Sequence, residues 1–170
     1  MKKLKSFTLI ELILYLALAG AIVIGISSLL VTIIQVKEKN KVIYEVEYQG
    51  TRLMDEISQS VRNARSVNAP DPGTSTSSLS LATDNPATNP TIFSLLEDKA
   101  NIKEGAADPV DLTSSNVRIT DLNFENSAIE AVLPDAIRII FTVSYNAQDN
   151  RREHIYQKTY QTTVVLRNSP

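Results

Sequence analysis

Residues 6–34 read SFTLIELILYLALAGAIVIGISSLLVTII, and the reading of that stretch decides the fold. From Leu12 to Ile34 there are 23 residues interrupted only by two glycines, Ser27, Ser28 and Thr32, with Tyr15 near one end. As a helix this segment rises about 34 Å, enough to cross a hydrocarbon core of about 30 Å with some tilt. Lys2, Lys3 and Lys5 precede it, and the chain turns polar after it at Gln35, Lys37, Glu38 and Lys39. Positive charge on the short N-terminal side predicts a single-pass protein with a cytoplasmic N-terminus and the remainder extracytoplasmic. Glu11 is the residue that does not fit, because an ionised side chain deep in a bilayer costs about 2.5–3.5 kcal/mol on insertion scales. An ordinary cleaved signal peptide has one foothold here, the A-x-A-like Ala17-Leu18-Ala19. Cutting there leaves a span-like apolar stretch behind and gives Glu11 no purpose, and a plain signal anchor leaves its cost equally unexplained.

The whole chain has 170 residues and 43% hydrophobic content, the size of one domain plus an anchor. Its formal net charge of −2 carries none of the basic excess of a dedicated nucleic-acid binder. There is no cysteine, which excludes disulfides, thiolate zinc sites and cysteine nucleophiles together.

Beyond the apolar run, Ile43, Val46, Gly50, Leu53, Ile57, Val61 and Ala64 recur at spacings of three and four, while Glu45, Glu47, Gln49, Arg52, Asp55, Glu56 and Gln59 fill much of the remainder. This predicts that the helix continues over residues 35–67 with one face against a core. Gly50 lies on that face. In a helix interior it costs about 1 kcal/mol relative to Ala, and close approach of a facing strand or neighbouring helix is the return to expect.

Pro70 and Pro72 end the helical pattern, and residues 68–170 are expected to form a β-rich globular domain. Loops are expected to dominate its first part, with short strands at 78–83, 91–96 and 100–103. Strand patterns follow at 116–125, 136–147 and 154–167. In the middle one Ile137, Ile139, Phe141, Val143 and Tyr145 share a face, with Arg138, Thr142, Ser144 and Asn146 largely on the other. Val117 and Ile119 fall out of phase with Leu122 and Phe124, which predicts a bulge near Asp121. A long helix followed by antiparallel strands with one covered face is an α+β arrangement.

The segment KSFTLIELILYLALAG resembles the N-terminus of the type IV prepilin and pseudopilin superfamily. The residues that carry the resemblance are Phe7, Thr8, Leu9 and Glu11, then the apolar helix and Gly20. The resemblance implies a short basic leader, residues 1–6, removed by a prepilin peptidase between Ser6 and Phe7, with N-methylation of the new amino-terminal Phe7. It implies a transmembrane and assembly helix over 7–34, pilin or pseudopilin subunits and an inner-membrane assembly platform as partners alongside the lipid bilayer, and a pilin-like fold. Ser6 stands where the family usually has Gly, and no proline occurs before Pro70, so Gly20 and Gly25 become the expected points of local helix weakness. Glu11 then has a purpose: the family picture pairs it with the amino terminus of a neighbouring subunit's Phe7, and a buried charge without its partner costs about 3–5 kcal/mol. The later segments, RLMDEISQSVRNARSV and the closing TTVVLRN, are loosely similar to PilW-like minor pilins and J-type pseudopilins.

No chemistry competes with a structural role. There is a single histidine, His154, beside Arg151 and Arg152, and no glycine-rich phosphate loop, triad spacing or paired metal ligands, so neither an enzyme nor a cofactor or metal is expected. Asp108 and Asp111 flank a proline and read as a turn sooner than as part of a calcium site. Arg118, Arg138, Arg151, Arg152 and Lys158 read as scattered solvated charge sooner than as a basic face for nucleic acid. The expected function is a structural subunit, a minor pilin or pseudopilin, of a type IV pilus or type II secretion-like filament. The alternative is a membrane-anchored extracellular binding or sensor domain outside any filament.

Overall fold

The computed structural model describes residues 8–128, 136–149 and 151–167. The expected leader and the Ser6–Phe7 junction lie outside them. Among the described residues one helix, α1 (Leu9–Asn63), is followed by nine strands: β1 (Ser66–Ala69), β2 (Ser75–Thr76), β3 (Leu79–Ala82), β4 (Thr91–Leu96), β5 (Lys99–Glu104), β6 (Val110–Asp111), β7 (Val117–Asn126), β8 (Ala136–Tyr145) and β9 (Gln157–Val165). The architecture is α+β with antiparallel pairing throughout. The chain separates into two compact units, Met1–Asn40 and Lys41–Pro170.

The described part of the first unit is the apolar stretch of α1. Its large side chains from Leu9 to Val36 are exposed all round, and the helix is long and apolar enough to cross a membrane. Two of the hydroxyls inside it are satisfied locally: Ser27 Oγ donates to the Val23 carbonyl at 2.8 Å and Thr32 Oγ1 to the Ser28 carbonyl at 3.0 Å. Both hydroxyls thereby avoid the cost of an unpaired polar group in an apolar medium. The helix runs unbroken through Gly20 and Gly25, and open space surrounds both.

In the second unit, α1 buries Val46, Gly50, Leu53, Ile57 and Val61 as its spacing predicts, while at the start of the stripe Val42 is buried and the expected Ile43 only half-buried. The helix ends at Asn63, short of the expected 67. Ala64 is fully buried, Arg65 N–H donates to the Ala82 carbonyl at 2.8 Å, and Val67 pairs with Leu81, so the chain leaves the helix to add β1 to a sheet. That sheet has the order β1-β3-β4-β5-β6 and occupies the region where loops were expected to dominate. A second sheet has the order β2-β7-β8-β9. The strands thus divide between two sheets, where the pattern alone suggested one. The helix stripe, Leu79, Leu81 and Phe93 of the first sheet, and Ile119, Phe124, Ile137, Ile139, Phe141 and Val143 of the second all enter one hydrophobic core.

Two details fix the second sheet. The β7–β8 register slips between Thr120↔Thr142 and Asn123↔Ile140, a bulge at the phase change, and Asp121 takes a left-handed φ of 54° there. At the end of β7, Asn126 is 1% exposed; its Nδ2 donates to the Pro70 carbonyl and its Oδ1 accepts from Ala128 N–H, both at 3.1 Å. Its backbone also pairs with Gly73 and Thr74, so one buried amide closes the corner where β2 meets β7.

Candidate functional site

Glu11 stands in the first turn of α1. Thr8 caps that turn: its Oγ1 accepts Glu11 N–H at 3.3 Å, the first half of a Thr-x-x-Glu capping arrangement. A carboxylate one turn into a helix sits at the positive end of the macrodipole, which offsets part of the penalty noted above. Tyr15, one turn further on, donates its hydroxyl to Glu11 Oε1 at 3.4 Å. The capping role of Thr8 was legible as a Thr three residues before a Glu, and the Tyr15 contact as an i, i+4 spacing. Neither entered the reading of the sequence.

The second cluster ties α1 to β9. Gly50 faces Tyr160, and a Cβ at Gly50 would collide with the ring of that tyrosine. Tyr160 lies directly opposite Phe141 across the β8–β9 ladder, and the two rings stack at 5.5 Å with planes 18° apart. The Tyr160 hydroxyl reaches the Glu47 carbonyl at 3.3 Å, and burial raises its pKa above the ordinary phenol value. Beside it, Lys158 Nζ donates to Glu47 Oε1 at 2.8 Å, and the Tyr156 hydroxyl reaches the same oxygen at 3.4 Å. The Lys158 hydrogen bond holds the Glu47 carboxyl below its usual range and, reciprocally, raises the Lys158 ammonium above its own. Glu45 Oε1, two residues earlier, accepts from Gln49 Nε2 at 3.1 Å and from Ser114 Oγ at 3.0 Å.

Four of the five cations considered for a basic face stand beside carboxylates. Arg118 is 3.9 Å from Asp98, Arg138 3.5 Å from Glu125, Arg151 3.3 Å from Asp149, and Lys158 is on Glu47. Paired in this way they offer little net field to a polyanion. Asp111 is engaged by Lys99 at 2.6 Å, a bond that raises the lysine's pKa. Among the described residues no group of three or more His, Cys, Asp or Glu gathers as a metal site.

His154 closes a short 3-10 turn, Arg152–His154, between β8 and β9. Its Nδ1 is 2.6 Å from Asp149 Oδ1, and that hydrogen bond lowers the Asp149 pKa from its ordinary value. The pair borders a polar cavity of about 440 Å³ that also reaches Asn116 and Tyr145. No family model, curated protein or solved structure matches this chain.

Proposed function

We propose that the chain is a structural subunit of a type IV pilus or type II secretion-like filament, a minor pilin or pseudopilin with a pilin-like fold. In this reading it is processed between Ser6 and Phe7, held in the membrane by α1, and packed into the filament through that helix. The observation that carries the reading is α1 itself. One unbroken helix presents apolar side chains on every side up to Val36 and, from Val42 onward, belongs to the core of a β domain. The same helix thus carries a lipid-soluble segment and, further along, a segment that packs into a folded domain. The Phe7–Glu11 sequence supplies the specific chemistry, a carboxylate spaced to meet a neighbour's amino terminus. Tyr15 donates a hydrogen bond to that carboxylate and the helix N-terminus favours its charge, which lowers its cost in the membrane before it is paired.

The test is Glu11→Gln beside the wild type in cells carrying prepilin peptidase. Membrane levels and leader removal, read from the mass of an N-methylated Phe7 terminus, should be equal. The amount recovered in sheared filaments should fall strongly, because Phe7's amino group would be buried without its counter-charge. Equal recovery refutes the pairing role, and a terminus still at Met1 refutes the processing. The competing reading, an anchored extracellular binding domain, draws on the polar cavity beside His154 and predicts no recovery in filaments for either protein.

A further inference from the structure

The cavity between the β8–β9 connection and the turn before β7 is a built feature. Asn146 braces its two walls: its Nδ2 donates to the Ser115 carbonyl at 3.0 Å, its Oδ1 accepts from Arg118 Nε at 3.0 Å, and its backbone N–H donates to the Asn116 carbonyl at 2.8 Å. Around this brace stand groups of a different kind. The hydroxyls of Ser115 and Tyr145 and the side-chain amides of Asn116 and Gln148 border the cavity and have no hydrogen-bond partner among the described residues. With His154 Nδ1–H directed to Asp149, the ring leaves Nε2 as a further acceptor.

We propose that this cavity binds a neutral saccharide, through the juxtaposition of Tyr145 and His154 with the free amides of Asn116 and Gln148. Charge decides against the other ligand classes. Asp149 is the one lining carboxylate; Arg151 at 3.3 Å compensates its charge and His154 Nδ1 occupies one of its oxygens, so it neither draws a cation strongly nor tolerates an anion beside it. Arg118 is turned to Asn146 and Asp98 and is not a free anion receptor. What remains is a set of uncharged donors and acceptors beside an aromatic side chain. A pyranose carries the complement, with hydroxyls that both donate and accept and C–H-rich faces that pack on an aromatic ring. A volume of about 440 Å³ lies within the range of about 300–1,000 Å³ typical of small-ligand sites and accommodates one or two sugar units.

This inference holds whether or not the chain enters a filament, and its assay is independent of filament recovery. The full chain is placed in lipid nanodiscs, which avoids sugar-headed detergents. It is then titrated by saturation-transfer NMR with galactose, mannose and N-acetylglucosamine, each as the free sugar and as its methyl glycoside, and in parallel with inorganic phosphate. At least one sugar should bind, phosphate should not compete with it, and Asn116→Ala combined with Gln148→Ala should weaken it at least tenfold. Both positions are exposed, and an unchanged melting curve establishes that the variant is folded. Tyr145→Phe, which keeps the ring, should give a smaller loss. Binding of the methyl glycosides as well as the free sugars identifies a chain-terminal glycan, and binding of the free sugars alone a soluble one. No binding by any of the sugars, competition by phosphate, or affinity unchanged in the double variant overturns the proposal.

Discussion

Replacing Gly50 by alanine should reverse its effect on stability according to what stands at position 160. In an exposed helix the substitution stabilises by about 1 kcal/mol, since Gly is the poorer helix former by that amount. Here the new methyl would meet the far end of the Tyr160 ring, so that ring must swing away. Swinging forfeits its stack on Phe141, about 0.5–1.5 kcal/mol beyond area burial, and its hydroxyl contact with the Glu47 carbonyl. Overpacking of this kind costs about 1–3 kcal/mol. Net of the propensity gain, Gly50→Ala should destabilise the wild type by about 0–2 kcal/mol. With Tyr160→Ala already present the obstacle is gone, and the same change should stabilise by about 1 kcal/mol. The assay is urea unfolding of a fragment beginning at Gln35, followed by tyrosine fluorescence, for the four proteins of a double-mutant cycle. A Gly50→Ala effect equal within about 0.5 kcal/mol in both backgrounds would refute the argument that Tyr160 is why position 50 is glycine.

That fragment should itself be soluble and melt cooperatively, because the helix stripe and both sheets share one core; Phe141→Ala, at 0% exposure, should then cost about 3–5 kcal/mol, measured as a shift in urea midpoint. Asn126→Ala should cost about 1–3 kcal/mol for each backbone group it orphans at Pro70 and Ala128. The Glu47–Lys158 tie should show a defined pH window. Glu47's folded pKa lies below 4.5, so its contribution is present above that value and lost as pH falls through the folded value; Lys158's lies above 10.5, so its contribution is present below that value and lost as pH rises past the folded one. The melting-temperature gap between wild type and Glu47→Gln should therefore be open at pH 7 and close below about pH 4.

How much of this could be read in the sequence follows from whether each signal is local. The apolar run, the helix stripe and the alternation in β8 all repeat within a few residues, and the phase break at Asp121 is visible because its neighbours on both sides are strongly patterned. Of the first sheet, β3, β4 and β5 match the strands expected at 78–83, 91–96 and 100–103, while β1 and β6 were hidden. LSLA and KANIKE are short and partly polar, and they hold as strands through partners such as Phe93↔Ile102 and Leu81↔Thr91 supplied elsewhere in the chain. The end of α1 was overextended for the same reason: Arg65, Ser66 and Val67 suit a helix as well as a strand until β3 is there to pair with them. Gly50 was recognisable as a residue inviting close approach. Nothing near it named Tyr160, which lies 110 positions later.

The bulge in β7 gives the two longest strands opposite tolerances to length change. A strand has a two-phase reading frame, and losing one residue normally throws everything downstream onto the wrong face. β7 is one residue longer than the ladder it forms, since three steps from Thr120 to Asn123 match two steps from Thr142 to Ile140. Deleting Asp121 would leave Val117, Ile119, Leu122 and Phe124 in simple alternation against unchanged partners, and would remove a left-handed residue that costs about 1–2 kcal/mol. β8 has no such spare. Loss of Ile140 would put one half of that strand out of frame with both β7 and β9. Natural variants of this domain that gain or lose a single codon should therefore collect at position 121 and avoid the strand beside it.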